Sequence, residues 1–277
     1  MSGRPYAEVI GDPIAHSKSP LIHNFWLAKL GIDAEYRACH VRADELADYF
    51  ARRRGDAEWR GCNVTMPHKE GVVPLCDTVS RQASRIQAVN CIYEQQGRFV
   101  GENTDVDGVA EAVGKAKLVG EEVCVIGAGG AARAVFQLMT EARAAAVLVM
   151  ARDPDKALAV AKQFAIFAVG VPFTAQSAAL SGASLLINAT QLGMVHQEAM
   201  PDFILAELAE LDPEAVVFDM VYAPLETPLL EAARRRGLQI VDGLTMLIGQ
   251  AAAAFRLFFG RPAPREHDAE LRAMLTS

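Results

Sequence analysis

Val123-Cys124-Val125-Ile126 runs directly into Gly127-Ala128-Gly129-Gly130-Ala131-Ala132. Four consecutive apolar residues suit a strand buried on both faces, and the glycine-rich segment opens a helical pattern over Gly130–Thr140. The spacing is G-x-G-x-x-G/A, with Ala132 in the third position. In a strand–turn–helix of this kind the first glycine permits the tight turn and the second lets the backbone approach a pyrophosphate. The small third residue allows close packing of helix on strand. The helix N-terminus then favours negative charge. The segment is expected to bind a nucleotide; an ordinary turn made of small residues is the other reading of the same pattern.

Outward from this stretch the rhythm is β-α-β. Strands are expected at Glu122–Ile126, Ala145–Met150, Leu185–Asn188 and Val216–Asp219, with a helix over Pro154–Phe164. Such alternation implies a parallel sheet with helices on both faces. The strand after the glycine turn ends at Ala151-Arg152-Asp153, the place that meets the adenosine ribose in such a domain. An acidic residue there favours a free 2′-hydroxyl and an arginine favours a 2′-phosphate. This sequence offers Arg152 and Asp153, with Lys156 nearby. Asp153 before Pro154 is also a helix N-cap signal.

Towards the N-terminus the strands expected are Ala7–Ile10, Ala34–Val41, Gly61–Thr65, Ala88–Tyr93 and Phe99–Val100, with a hairpin turn at Gln96-Gly97. Helices are expected over Pro20–Leu30, Ala43–Arg54 and Thr78–Ile86. The chain therefore reads as α/β with two α/β domains. Residues 1–106 form an N-terminal substrate domain, and residues 107–241 a Rossmann-type dinucleotide-binding domain. Residues 242–277, with a long helix from Leu244 to Phe259, pack back on the first domain.

Composition supports a packed protein. Of 277 residues, 51% are hydrophobic and 22% charged, which excludes a disordered chain. A net charge of −7 disfavours nucleic acid and anionic membranes as partners. Cys39, Cys62, Cys76, Cys91 and Cys124 include no C-x-x-C pair, and an odd number suggests reduced thiols in a cytoplasmic protein. The six histidines show no metal spacing, so no metal is expected. Asp12 interrupts any signal-peptide core, and Gln250 and Arg256 interrupt the most apolar stretch, Leu244 to Phe259, as a membrane span.

The first domain concentrates polar residues at strand ends. In Gly11-Asp12-Pro13-Ile14-Ala15-His16-Ser17-Lys18-Ser19-Pro20, an extended backbone would aim the Ser17 and Ser19 hydroxyls to one side, where they can bind a carboxylate. The competing reading makes Ser19 the helix N-cap and Ser17 a turn residue. Asn63 and Thr65 share a strand face in Gly61–Lys69, with Pro67 ending the strand and Lys69 beyond it. Asn90 lies in Gln87-Ala88-Val89-Asn90. Asp105 follows Asn103-Thr104 ahead of a helix, either as its cap or as a reactive carboxylate.

Taken together these segments resemble the shikimate dehydrogenase family. The matching pieces are Gly11–Pro20 with His23, Asn63–Lys69, Ala88–Asn90, Asn103-Thr104-Asp105 and Gly127–Ala131. Asn188-Ala189-Thr190, Asp219–Tyr222 with Thr227-Pro228-Leu229, and Asp242-Gly243 with Met246, Leu247 and Gln250 complete the set in family order across nearly the whole chain. The resemblance implies an NADP-linked oxidoreductase acting on shikimate in a cleft between two domains. It implies Lys69 and Asp105 as the catalytic pair, and Ser17 and Ser19 as holders of the substrate carboxylate. Thr65, Asn90 and Gln250 would bind ring hydroxyls, with Tyr222 lining the same cleft. For the cofactor it implies Gly127, Ala128, Gly129, Gly130, Ala131, Arg152, Asp153, Met220 and Gly243. The partner implied is a small cyclohexanoid acid, and the assembly a monomer or homodimer.

The sequence departs from the family pattern at three places. Ala151-Arg152-Asp153 stands where Asn-Arg-Thr is usual, which leaves NAD open as the alternative cofactor. Cys91 replaces a threonine and Gln191 a serine, which leaves room for a relative acting on quinate.

Overall fold

The computed structural model describes residues 3–114, 116–174 and 180–276. The chain divides into two compact units, Met1–Thr104 with Gln250–Ser277, and Asp105–Gly249.

The first unit begins with β1 (Tyr6–Gly11), buried along its whole length. Then come α1 (Ser19–Leu30), β2 (Glu35–His40), α2 (Leu46–Arg53) and β3 (Trp59–Val64). The short β4 (Thr78–Val79), α3 (Arg81–Ile86), β5 (Cys91–Gln95) and β6 (Arg98–Glu102) complete the series. Strand order is β2-β1-β3-β5-β6-β4. The sheet is mixed: β1 runs parallel to β2 and β3, β5 is antiparallel to β3 and β6, and β4 is parallel to β6. The β5–β6 turn has positive φ at both Gln96 and Gly97, the twist that a two-residue hairpin favours.

Burial of β1 carries one charge inside, Glu8, which is 1% exposed. Its Oε2 accepts from Tyr49 Oη at 2.7 Å and Arg53 Nε at 2.8 Å, and its Oε1 from Arg37 Nε and Arg53 Nη2 at 3.1 Å each. Burial alone would raise this carboxyl, but the hydrogen bonds from Arg53, Tyr49 and Arg37 outweigh it and hold the pKa below the usual glutamate value.

The second unit contains β7 (Glu122–Ile126), β8 (Ala146–Ala151), β9 (Ala168–Pro172), β10 (Leu185–Asn188), β11 (Val216–Asp219) and β12 (Gln239–Val241). All five pairings are parallel, in the order β12-β11-β10-β7-β8-β9. Numbered within the unit this is 3-2-1-4-5-6, the Rossmann order, with its switch point between β7 and β10. Its helices are α4 (Asp105–Val113), α5 (Gly130–Ala142), α6 (Pro154–Ala161), α7 (Asp202–Glu207) and α8 (Pro228–Arg235). The four central strands β8, β7, β10 and β11 are largely buried, as a sheet covered on both faces requires, whereas the edge strands β9 and β12 are mostly half-buried or exposed.

Two further helices follow, α9 (Gly243–Phe259) and α10 (Asp268–Thr276). The division between units falls inside α9, so Gly243–Gly249 group with the second unit rather than with the first. The later half of α9 completes the first unit's core. Phe255 packs on Trp26, with ring centroids 5.5 Å apart, and on His23 at 5.9 Å. His23 lies flat on Tyr36, with centroids at 4.0 Å and planes at 4°. Trp26 is fully buried; burying a large apolar side chain contributes roughly 1.5–3 kcal/mol. No described helix is long and apolar enough to cross a membrane.

Several expected elements shift. The helix expected over Thr78–Ile86 starts only at Arg81, because Thr78-Val79 pairs with β6 and the Ser80 hydroxyl accepts from Ala83 N–H as N-cap. The strand expected at Ala88–Tyr93 begins at Cys91, and the helix expected over Ala43–Arg54 is a tight turn followed by α2. Ser19 does not cap α1. It is the helix's first residue, and Lys18, already in helical conformation, precedes it without a side-chain capping bond.

Candidate functional site

The turn after β7 is shaped by contact. Gly127 has φ +98°, and a Cβ there would lie 2.6 Å from Thr190 Cγ2. The residue is therefore glycine for both conformation and space. Gly129 is the N-cap of α5 and supplies no side-chain cap. Nothing lies within 4 Å of where a Cβ would sit at Gly129 or Gly130. The start of a thirteen-residue helix is thus exposed beside the turn, an arrangement suited to a pyrophosphate.

Across the switch point a buried network fixes the neighbouring strand ends. The Thr190 hydroxyl donates to Asn188 Oδ1 at 2.6 Å, and Asn188 Nδ2 donates to Asp219 Oδ1 at 2.9 Å. Asp219 Oδ1 also accepts from Val221 N–H at 3.0 Å, and its Oδ2 from the Thr227 hydroxyl at 2.6 Å. Burial raises the Asp219 carboxyl above its usual pKa despite these bonds.

Between these ends lies a cavity of about 430 Å³ lined by Gly127, Ala128, Arg152, Thr190, Gln191 and Glu198 among others. Gly127, Ala128 and Arg152 are expected cofactor residues. Gly129, Gly130 and Ala131 form the turn and first residues of α5 beside the cavity. Asp153 is not in the lining. Its Oδ1 accepts from Lys156 N–H at 3.0 Å, capping α6, which the Asp-Pro signal had offered as one reading. Met220 and Gly243 sit outside the cavity, touching one another: a Cβ on Gly243 would collide with the Met220 carbonyl. The turn that only glycine fits, the open helix end and the adjoining cavity fit a dinucleotide.

In the first unit the candidate substrate residues gather where β1 and β3 end. Thr65 N–H donates to Ile10 O at 3.0 Å, and Asp12 N–H to Met66 O at 3.2 Å. Lys69 O accepts from Val89 N–H at 2.8 Å, and Asn90 O from Val64 N–H at 2.8 Å. Ser17 Oγ accepts from Ser19 N–H at 3.3 Å. The expectation that Ser17 and Ser19 point alike from an extended backbone fails, because Lys18 between them is helical. Thr65, placed in a strand with Asn63, lies just beyond the end of β3.

Buried side chains hold this group from behind. The Tyr36 phenol donates to Asn63 Oδ1 at 2.7 Å. Asn63 Nδ2 donates to Asn90 O at 3.2 Å. Asn90 Oδ1 accepts from Thr104 N–H at 2.7 Å, and its Nδ2 donates to Thr104 Oγ1 at 3.1 Å. Burial pushes the Tyr36 phenol well above its usual pKa and the His23 imidazole down to about 3.

Asp105 is the first residue of α4 and is 8% exposed. It is thus inside the helix rather than ahead of it. Tyr222 follows β11 in the second unit, with burial raising its phenol pKa. Gln250 is half-buried on α9 in the first unit. Sequence reasoning missed Tyr36 and Glu198. Tyr36 resembles any strand aromatic, and no motif marks Glu198, which bonds to Arg152 from the loop after β10.

The description "Shikimate dehydrogenase substrate binding domain" matches residues 9–92. "Shikimate / quinate 5-dehydrogenase" matches residues 109–210, and "Shikimate 5'-dehydrogenase C-terminal domain" matches residues 243–270. The shikimate dehydrogenase (NADP(+)) of Sphingopyxis alaskensis is 49% identical over 274 residues, covering 99% of this chain and 97% of its own. The structure of shikimate 5-dehydrogenase from Thermus thermophilus, in complex with NADP(H) and shikimate, is 36% identical. It covers 98% of this chain and 99% of its own with a TM-score of 0.84. Quinate dehydrogenase from Corynebacterium glutamicum, in complex with NAD, matches at 31% identity and TM-score 0.84, covering 98% of this chain and 99% of its own. Identity at this level along almost the full length agrees with the motifs, the Rossmann sheet and the glycine turn, and this chain belongs to the shikimate dehydrogenase family.

Proposed function

We propose that this chain interconverts shikimate and 3-dehydroshikimate with NADP as cofactor. The observation that carries this reading is 49% identity over 99% of the chain to a shikimate dehydrogenase (NADP(+)). Gly127–Ala131 and the start of α5 would hold the pyrophosphate, and Arg152 the 2′-phosphate. When bound, the dinucleotide supplies the acceptor for the hydride of the alcohol carbon.

The chain's own residues handle the proton and the pose. Lys69 Nζ takes the proton from the ring hydroxyl in oxidation, and as ammonium it returns one to the oxygen in reduction. Asp105 orients that lysine and balances its charge. Ser17 and Ser19 hold the substrate carboxylate. Thr65, Asn90 and Gln250 bind ring hydroxyls, and Tyr222 lines the same site. Asn90 is held in place by Asn63 and Thr104, so binding there orders little that is not already ordered. The five free thiols support a cytoplasmic enzyme, which we take as a monomer or homodimer.

The test is an activity matrix of shikimate or quinate against NADP or NAD, followed by Lys69→Ala. Shikimate with NADP is expected to give the highest kcat/KM. Lys69→Ala is expected to lower kcat by roughly 10²–10⁴, the size of a general acid–base contribution, with substrate KM changing far less. Turnover confined to quinate with NAD would overturn the substrate and cofactor assignment, and a Lys69→Ala variant retaining its kcat would remove Lys69 from the proton's path.

A further inference from the structure

The rim of the dinucleotide cavity carries an anion that a phosphorylated cofactor does not call for. Among the described residues lining the cavity, Arg152 is the one cation and Glu198 the one anion. They are bonded to each other, Arg152 Nη2 to Glu198 Oε2. Arg152 belongs to the end of β8, where the ribose is expected, and Glu198 to the loop after β10. The glutamate is anchored from behind: its carbonyl accepts from Gly193 N–H at 2.8 Å, within a turn closed by Gln197 N–H to Met194 O at 3.0 Å. Asp153 makes no hydrogen bond or ion pair with Arg152; its carboxylate is turned to the α6 amide.

We propose that Glu198 is a specificity-determining residue of the cofactor site. Its carboxylate holds the Arg152 guanidinium that a ribose 2′-phosphate needs, and so narrows the preference for NADP over NAD. The inference rests on the dinucleotide reading given above. Carboxylate and phosphate suit the same planar guanidinium fork, so one bonds at the other's expense. Both side chains are largely exposed, 74% for Arg152 and 70% for Glu198, and an exposed ion pair is weak enough for a phosphate to displace. Displacement does not take the charge away from the site, because the backbone bond to Gly193 fixes the Glu198 main chain at the rim. The displaced charge then repels the phosphate dianion through solvated surroundings. NAD, with a ribose hydroxyl instead, meets neither effect.

Direct binding of NADP⁺ and NAD⁺, measured by titration calorimetry on wild type, Glu198→Gln, Arg152→Ala and the double variant, tests this. Glutamine keeps the shape and removes the charge. Glu198→Gln is expected to tighten NADP⁺ by about three- to tenfold, the range for one like charge in a solvated setting, and to move NAD⁺ by less than about twofold. The gain should shrink as ionic strength rises. Arg152→Ala should weaken NADP⁺ more in the Glu198→Gln background than in wild type, because there the arginine is no longer shared. Equal changes for both dinucleotides, or none for either, overturn the proposal while leaving the enzyme reading intact. Wild-type protein that binds neither dinucleotide overturns both.

Discussion

Gly127→Ala separates the two reasons for glycine at the head of the dinucleotide turn. The first is conformational: with φ at +98°, an L side chain costs about 1–2 kcal/mol. The second is spatial: the new Cβ would stand 2.6 Å from Thr190 Cγ2. Thr190 cannot turn away easily, since its hydroxyl donates to Asn188 Oδ1 at 2.6 Å and accepts from Leu192 N–H at 3.1 Å. Overpacking against such a pinned group costs about 1–3 kcal/mol, so the single variant should lose roughly 2–5 kcal/mol. Thr190→Ser deletes the offending methyl and keeps both hydrogen bonds. In the double variant the spatial share should return, a coupling of about 1–3 kcal/mol, whereas the conformational share should remain. Urea unfolding of the four proteins gives these energies, and dinucleotide titration should show weaker binding in Gly127→Ala, partly rescued by Thr190→Ser. Strictly additive stabilities, or a Gly127→Ala protein as stable as wild type, would refute the argument.

Glu8→Gln should destabilise the first unit by about 2–4 kcal/mol, somewhat below a fully buried ion pair because Arg37 is 44% exposed. The Glu8 carboxyl titrates below its unfolded value, so its stabilisation is complete above the ordinary glutamate range and is lost as pH falls through the depressed folded pKa. The gap in urea midpoint between wild type and Glu8→Gln should therefore be constant at neutral pH and close on acidification; a gap that widens in acid would contradict this. Tyr36→Phe leaves Asn63 Oδ1 as a buried acceptor without its donor and should cost about 1–3 kcal/mol. It should also raise shikimate KM with little change in kcat, because the Asn63 side chain that bonds the Asn90 carbonyl loses its anchor; a stability loss with KM unmoved would confine Tyr36 to the core.

The readable parts of the sequence were those in which one local cause dominates. Gly127-Ala128-Gly129 announces the Rossmann turn because conformation and space demand glycine at Gly127, and the small residues after it leave the start of the helix open. Asp153-Pro154 announces a cap, and the carboxylate is found on the Lys156 amide. Ser19-Pro20 carries the same local signal and gives the opposite result: Ser19 is buried as the first helical residue, and Lys18 before it is already in helical conformation. The strand β9 escaped notice because Gly170 and Pro172 weaken its pattern. Gly170 is there because a Cβ would lie 2.5 Å from the Pro154 carbonyl oxygen, a contact known only once the chain is folded. The Arg152–Glu198 pair joins residues 46 positions apart through a loop with no periodicity, so nothing local foretells it.

The first unit is written in two pieces with the whole second unit between them. During synthesis Asp105–Gly249 is a continuous segment, able to close its sheet as soon as it has left the ribosome. Met1–Thr104 emerges earlier but lacks Phe255 and Phe258, the rings that cover Trp26 and His23, until Gln250–Ser277 has been made. Domains that fold as units usually mature from the N-terminus onward. Here the order of birth and the order of completion are reversed: the half that appears first is finished last, and its aromatic face stays uncovered while the other half takes shape.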